Sequence, residues 1–414
     1  MEHLFFVDRE RGIRKTYEDL LSELSLKRSI GHVINSDKPY EVFIDLVLSL
    51  INGVEVELVD SDLSHNEIEA LGIKSIDQRY TFGDAHWTAQ NSFADLLDLI
   101  DIGKSSWRLT LYTSGTTGRP KKVTHTFDSL TRSVKIGVNH KDDIWVFAYN
   151  PTHFAGLQVF FQAFLNMNPI VFVFDTPRSK VFDIMQEEKV THISATPTFY
   201  RNTLVTFEKP VNTIRRATSG GEKFDPYIET IMRKAFPNAR LNNIYASTEA
   251  GSLFAAEGDV FKISDRIADK VRINQDGELL VHKSLLGQSV DILLDEDWYH
   301  TGDIVELTDQ KQFRFVSRKS EMINVGGYKV NPYEVEEAIL NIEGIEDAIV
   351  NSRTNRVTGS ILVASVVRNS EADHIDEEFV TKELSKILQQ WKIPRLIKFV
   401  DKIELTRTGK KARN

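Results

Sequence analysis

Residues 112 to 122 read Tyr-Thr-Ser-Gly-Thr-Thr-Gly-Arg-Pro-Lys-Lys. Five hydroxyl side chains (Tyr112, Thr113, Ser114, Thr116, Thr117), two glycines (Gly115, Gly118) and three cations (Arg119, Lys121, Lys122) surround Pro120 in this run. Glycine lets the backbone turn its N–H groups toward an anion, and hydroxyls add neutral donors. The cations supply positive charge at the loop's exit. That is the chemistry of a loop that wraps a polyphosphate. It is not a Walker A loop, because the second glycine of G-x-x-x-x-G-K-[ST], counted from Gly115, falls on Pro120. Taken alone, such a tract also reads as a solvated connector.

Shorter segments with chemical content follow in order. Pro151-Thr-His153-Phe154-Ala-Gly156 comes directly after an apolar run and offers one imidazole, although a lone histidine beside a strand is ordinarily a packing residue. Thr218-Ser-Gly220-Gly221-Glu222 reads as a strand-to-helix turn whose glycines let a planar group approach the backbone. Asn243-Ile-Tyr245-Ala246-Ser247-Thr248-Glu249 joins an aromatic ring, hydroxyls and a carboxylate. A carboxylate beside phosphate oxygens suits a hard divalent cation; Thr-Glu is equally a common start of a helix. Tyr299-His-Thr301-Gly302-Asp303 has the sequence of a hairpin turn, and its carboxylate could bind a vicinal diol through both oxygens. Arg318 and Ser320 lie in Phe315-Val-Ser317-Arg318-Lys-Ser320, followed by Gly326-Gly327-Tyr328-Lys329. Leu405-Thr-Arg407-Thr408-Gly409-Lys410-Lys411 closes the series with charges that are ordinarily solvated at a terminus.

In this order, the stretch from about 110 to 413 resembles the acyl-adenylate-forming enzymes: acyl-CoA synthetases, adenylation domains of peptide synthetases, and luciferases. The resemblance implies that Thr113, Ser114, Gly115, Thr116, Thr117, Gly118 and Lys121 hold the phosphates of ATP. It implies that Gly220, Gly221, Glu222, Tyr245, Ala246 and Ser247 flank the adenine side, with Tyr245 packed on the base. Thr248 would contact the α-phosphate and Glu249 would help hold Mg²⁺. Asp303 would take the ribose hydroxyls with Arg318 nearby, and Lys410 would be the catalytic lysine. His153, Phe154 and Gly220 would border the acyl pocket, with His153 near the reacting carboxylate. Ser320 would be the hinge of a small mobile lobe. Gly326, Gly327 and Lys329 would line the tunnel for CoA or a phosphopantetheine arm.

Some residues depart from the family pattern: Ala246 and Ser317 stand where glycine is usual, Ser320 where aspartate or lysine is common, and Asn324 where many members have lysine. Amino-acid-activating members carry an aspartate near the histidine. None stands between Asn150 and Phe164, so a neutral pocket for an aryl or fatty acid is expected. The alternatives are loading of an acyl carrier protein, amino-acid activation, and a non-catalytic nucleotide-binding homologue. The chain also reaches the phosphate loop sooner than the family's members typically do.

These segments must be positioned by surrounding elements. Ile144–Tyr149, Pro169–Phe174 and Val190–Ser194 are short apolar runs, and Lys180–Lys189 reads as a helix between the last two. Apolar runs separated by helices predict buried, mostly parallel strands in a layered α/β domain. From about 330 the pattern becomes α+β: Asn331-Pro332-Tyr333-Glu334 has the residues of an N-cap, a first-turn proline and a capping box. Strands near Asp347–Asn351, Ile361–Val367 and Ile397–Val400 and a helix from Asp376 to Trp391 follow. We therefore expect a large domain over 1–319 and a small one over 320–414.

Composition narrows the classes. At 414 residues the chain exceeds one compact core. A net charge of −9 argues against non-specific nucleic-acid binding. The absence of cysteine excludes disulfides, thiolate metal sites and a cysteine nucleophile, so any thioester needs a partner's thiol. The charged N-terminus is unlike a secretory signal, and the apolar stretch Phe43–Ile51 is too short to span a bilayer. A cytoplasmic location is the expectation.

Overall fold

The computed structural model describes the chain apart from residues 1–2, 74–76, 83–91, 114–120, 205–206, 208, 225, 290, 326–327, 356–358, 370–371, 373, 408 and 414. At its centre is an eight-stranded sheet. Leu4–Asp8, Ile170–Phe172, Trp145–Phe147, His192–Ala195, Arg216–Gly220 and Arg240–Ser247 run parallel in that spatial order. Antiparallel strands Ile13–Thr16 and Gly251–Ala256 close the two edges. The runs at Trp145 and Ile170 are buried at every position, as helices on both faces require. Helix Arg178–Glu187 sits where the polar-apolar pattern placed it.

Packing explains why that sheet holds. Helices Pro39–Ile51 and Phe154–Phe164 meet through Phe43 and Phe160, whose rings stack at 4.6 Å, and Phe160 stacks again on Phe164 at 5.3 Å. A second sheet carries Val33–Ile34, Glu55–Leu58, Arg108–Thr113 and Lys121–His125. Its last two strands pair antiparallel, so the 114–120 segment is their connection. A third, antiparallel sheet includes Val260–Lys262, Gln312–Arg318, Trp298–Asp309, Glu278–His282 and Val271–Ile273. The Thr301-Gly302-Asp303 element is therefore not a hairpin turn. It lies inside a long strand, where Gly302 takes φ +74°.

The smaller C-terminal domain has its own apolar cluster, built from Val335 and Ile339 of helix Pro332–Leu340 against Ala348, Val350, Leu362 and Ala364. Strands Ile345–Asn355 and Gly359–Arg368 pair antiparallel, and Leu396–Phe399 adds in parallel. Asn331 caps the helix as expected, accepting from the Tyr333 N–H at 3.1 Å, with Pro332 in the first turn. The expected capping box does not form, because Glu334 is drawn to Lys392 at 2.5 Å. The anticipated 376–391 helix ends early, at Ser385. Beyond it Leu388 and Ile393 turn back onto the core, and Trp391 stacks on Tyr328 at 4.5 Å.

The aromatic stack sets a stability test. Replacing Phe160 by Ala removes a fully buried ring, and the expected loss is about 3–5 kcal/mol, read from urea denaturation.

Candidate active site

The antiparallel register of Trp298–Asp309 with Gln312–Arg318 sets Asp303 directly opposite Arg318. Arg318 Nε donates to Asp303 Oδ1 at 2.8 Å, and the Tyr245 hydroxyl donates to Oδ2. Burial and the Asp303 charge push the Tyr245 phenol well above its ordinary range, so it stays a donor. Burial opposes a charge on Arg318, but Asp303 outweighs it and keeps the guanidinium protonated. Each Asp303 oxygen retains a second lone pair for a diol.

This stretch of strand is held by Glu278, which the sequence did not single out. Its buried carboxylate accepts from the Gly302 N–H at 3.0 Å and meets His300 at 3.2 Å and Lys319 at 3.4 Å. Burial alone would raise this carboxyl, but the His300 and Gly302 hydrogen bonds and Lys319 hold it below the usual range.

A cavity of about 320 Å³ opens above these groups. Lys121, Tyr245, Ser247, Glu249, Asp303 and Arg318 line it, with Ser320 at its rim in the one-turn segment Lys319–Glu321. Ala246 marks a bulge between Arg240–Ser247 and Gly251–Ala256. Thr248 and Glu249 occupy the turn of that hairpin rather than the start of a helix. Among the described residues no three His, Cys, Asp or Glu side chains cluster to hold a metal. A single carboxylate fits magnesium nonetheless, because that ion shares its coordination with phosphate oxygens and water.

Thr113 ends one strand leading to the phosphate loop; Ser114, Gly115, Thr116, Thr117 and Gly118 lie outside the described residues. The two lysines after the loop differ. Lys122 is neutralised by the buried Glu57 at 2.7 Å, which also accepts from Tyr112, its cross-strand partner. Lys121 faces the cavity, its Nζ 5.9 Å from the ring centre of Tyr299.

On the acid side, His153 precedes helix Phe154–Phe164 and its Nε2 stands 3.2 Å from Asp60 Oδ1. Asp60 also accepts from Asn150 Nδ2 at 2.9 Å and from the Thr152 hydroxyl. The 150–164 segment has no acid of its own, but the fold brings this one from far upstream. Phe154 is buried and its ring lies 5.6 Å from that of His125.

Gly220 ends its strand and Gly221 follows at φ +84°. Glu222 accepts from the Thr198 N–H and hydroxyl, both at 3.0 Å, and from the Lys411 N–H at 3.2 Å. Against Gly221 lies the Lys410 stem: a β-carbon at Gly221 would sit 3.4 Å from Lys410 Cε and 3.8 Å from Nζ. The Lys410 amine makes no ion pair among the described residues. Burial, then the nearby Arg318 charge, pulls it below the ordinary 10.5 of a lysine. Lys329 is exposed on Tyr328–Val330, whereas Gly326 and Gly327 lie outside the described residues.

A layered α/β lobe with a polar cleft, against which a small C-terminal lobe sets a lysine beside Gly221, is the architecture of a two-domain adenylate-forming protein. The AMP-binding enzyme model matches residues 46–296 and the AMP-binding enzyme C-terminal domain matches 334–410, so the chain belongs to the AMP-binding enzymes. It is 25% identical over 343 residues to a 2-succinylbenzoate–CoA ligase of Listeria monocytogenes, covering 77% of this chain and 71% of that protein. It is 27% identical over 353 residues to bacitracin synthase 3 of Bacillus licheniformis, covering 74% of this chain and 5% of that much longer protein. The ATP-bound MatB structure from Rhodopseudomonas palustris shares the fold, with a TM-score of 0.72 and 18% identity over 99% of this chain and 94% of that one.

Two measurements check this geometry. Asp303→Asn weakens a charge-assisted hydrogen-bond set worth about 1.5–3 kcal/mol, and KM for ATP should rise roughly tenfold or more in a pyrophosphate-release assay. Because Lys410 must be protonated to act as a cation, activity should fall as pH rises through its lowered pKa. The alkaline limb of the pH–rate profile should therefore begin below 10.5, and Lys410→Arg should move it upward.

Proposed function

We propose that this chain is an AMP-forming acid–thiol ligase. A carboxylate oxygen of the substrate attacks the α-phosphorus of ATP, the bond to the β-phosphate bridging oxygen breaks, and pyrophosphate leaves. A thiolate then attacks the acyl carbonyl, AMP leaves as a phosphate anion, and the thiol's proton passes to solvent. The first step brings two anions together, so its barrier is largely electrostatic. The observation that carries the reading is Lys410, brought beside Gly221 from far along the sequence and making no ion pair among the described residues.

In this reading Lys410 and Lys121 neutralise charge on the phosphates, Thr248 contacts the α-phosphate, and Asp303 with Arg318 holds the ribose in register. Tyr245 sets the adenine side. Glu249 would hold magnesium, which when bound supplies charge neutralisation at the phosphate oxygens. His153, oriented by Asp60, faces the acid. The carboxylate nucleophile is already ionised at neutral pH, so this step needs no general base. The small lobe begins at about 320, and rotation near Ser320 would withdraw Lys410 and present the 326–329 loop to the thiol.

An aromatic carboxylic acid with CoA as acceptor is supported by the relatives named for 2-succinylbenzoate and for 4-coumarate, the latter 24% identical over 360 residues. A second reading, loading of a phosphopantetheinyl carrier protein, differs from this one only in the acceptor thiol. No helix among the described residues is long and apolar enough to cross a membrane. ATP and CoA are supplied in the cytoplasm, where we place the enzyme.

Hydroxylamine trapping across short, medium, long-chain and aromatic acids tests adenylation without assuming an acceptor, and turnover is expected in the aromatic arm. Pyrophosphate release with none of these acids would end the proposal. Adding CoA or a phosphopantetheinylated carrier then separates the two acceptors. Lys410→Ala is expected to cost about 2.7–4 kcal/mol in the adenylation barrier, by loss of one preorganised charge contact. Thioester formation from supplied acyl-adenylate should change far less.

A further inference from the structure

The lysine-bearing tail is a short hairpin with its feet on one lobe and its tip on the other. Leu405 and Lys411 bridge, the Thr406 N–H donates to the Lys410 carbonyl at 2.7 Å, and the Ala412 N–H donates to the Glu404 carbonyl at 2.9 Å. The feet are tied mainly to the small lobe, with the Lys411 N–H also donating to Glu222 of the large one at 3.2 Å. Lys411 Nζ reaches Asp347 at 2.5 Å and the Ala348 carbonyl at 2.7 Å, while Arg413 pairs with both oxygens of Glu336 at 2.7 and 2.9 Å. The tip crosses to the large lobe. There the Thr196 hydroxyl donates to the Gly409 carbonyl at 3.2 Å, and Arg407 donates to Asp62 at 2.8 Å and to Glu67 at 3.2 Å.

We propose that Arg407 is a positioning residue: by gripping Asp62 and Glu67 it holds the hairpin in the cleft, keeps Lys410 engaged, and so sets the balance between the two half-reactions. The inference rests on the reading of Lys410 given above.

Three observations support it. Among the described residues, the tip's charged side-chain contacts with the large lobe are those of Arg407, so withdrawal of Lys410 must break these pairs. The acceptor is preorganised: Ser64 caps helix His65–Ala70, and its N–H and hydroxyl fix Glu67 Oε2 at 2.9 and 2.7 Å, leaving Oε1 for Arg407. Little side-chain entropy is then lost when the guanidinium arrives. Finally, the gripping segment is itself anchored, because Asp60 just upstream is held by Asn150, Thr152 and His153. The segment from 60 to 67 thus joins the acid-side histidine to the lysine tip.

Both pairs are exposed, so the grip is modest and screened by salt. Arg407→Ala should slow adenylation by about two- to tenfold, leave thioester formation from supplied acyl-adenylate unchanged or faster, and reduce the salt dependence of adenylation. Charge reversal with Arg407→Glu, Asp62→Arg and Glu67→Gln should restore adenylation and its salt dependence. A readout independent of turnover uses the absence of native cysteine. Asp62→Cys with Arg407→Cys should cross-link through a short bis-maleimide, visible as a gel shift, and the linked protein should form acyl-adenylate yet stall in thioester transfer. The proposal is overturned if Arg407→Ala leaves adenylation and its salt dependence unchanged, if it lowers both half-reactions equally, or if the linked protein transfers normally. Lys410→Ala separates the two levels: unaffected adenylation in that variant sinks the lysine reading, whereas loss there with an inert Arg407→Ala sinks only this one.

Discussion

A partly buried ammonium group beside an arginine, with no carboxylate in ion-pair contact among the described residues, is electrostatically unfavourable, and the groups around it respond to that condition. Lys410 is in this position against Gly221. Arg318 pairs with Asp303 and Lys122 with Glu57, whereas among the described residues Lys410 and the cavity-facing Lys121 form no ion pair, and Glu222, Glu321 and Asp303 act on Lys410 only at a distance. In the proposed reaction a polyphosphate would supply the missing negative charge, and its binding would favour the arrangement in which the two lobes meet.

The large lobe converts topology into register. Cross-strand pairing, not local sequence, sets Asp303 opposite Arg318, and the bulge beside Tyr245 turns its hydroxyl toward the same carboxylate. Below them Glu278 holds Gly302, so Asp303 and Arg318 rest on a buried support. The hairpin at Tyr112 and Lys122 is pinned the same way by Glu57. In each case a buried acid with several donors fixes backbone that would otherwise be free at a loop root.

What was legible in the sequence follows from this. The parallel core was readable because strands such as Ile170–Phe172, covered on both faces, must be apolar at every position. The elements around Tyr245, Asp303, Arg318 and Lys410 could be singled out because each carries its chemistry within a few residues; the structure sets the first three along one cavity and Lys410 beside Gly221, outside that lining. Asp60, Glu57 and Glu278 were not, since each looks like an ordinary surface acid until long-range folding buries it against its partners. The antiparallel sheet hid Thr301-Gly302-Asp303 as an apparent turn, because a glycine inside a strand and a glycine at a hairpin have the same local signature. The missing capping box at Glu334 has a similar cause, a tertiary partner in Lys392 outcompeting a local one.

The bare α-carbon of Gly221 has a mechanical meaning. It is the surface on which the lysine stem comes to rest, and its backbone already sits where side chains are disfavoured. A methyl group at that spot would meet the lysine stem at an ordinary contact distance of 3.4 Å, so room is not what bars a side chain there; the φ of +84° is. The missing carbon thus serves the bend of the backbone as it leaves its strand, and the lysine stem lies on a surface shaped by that bend.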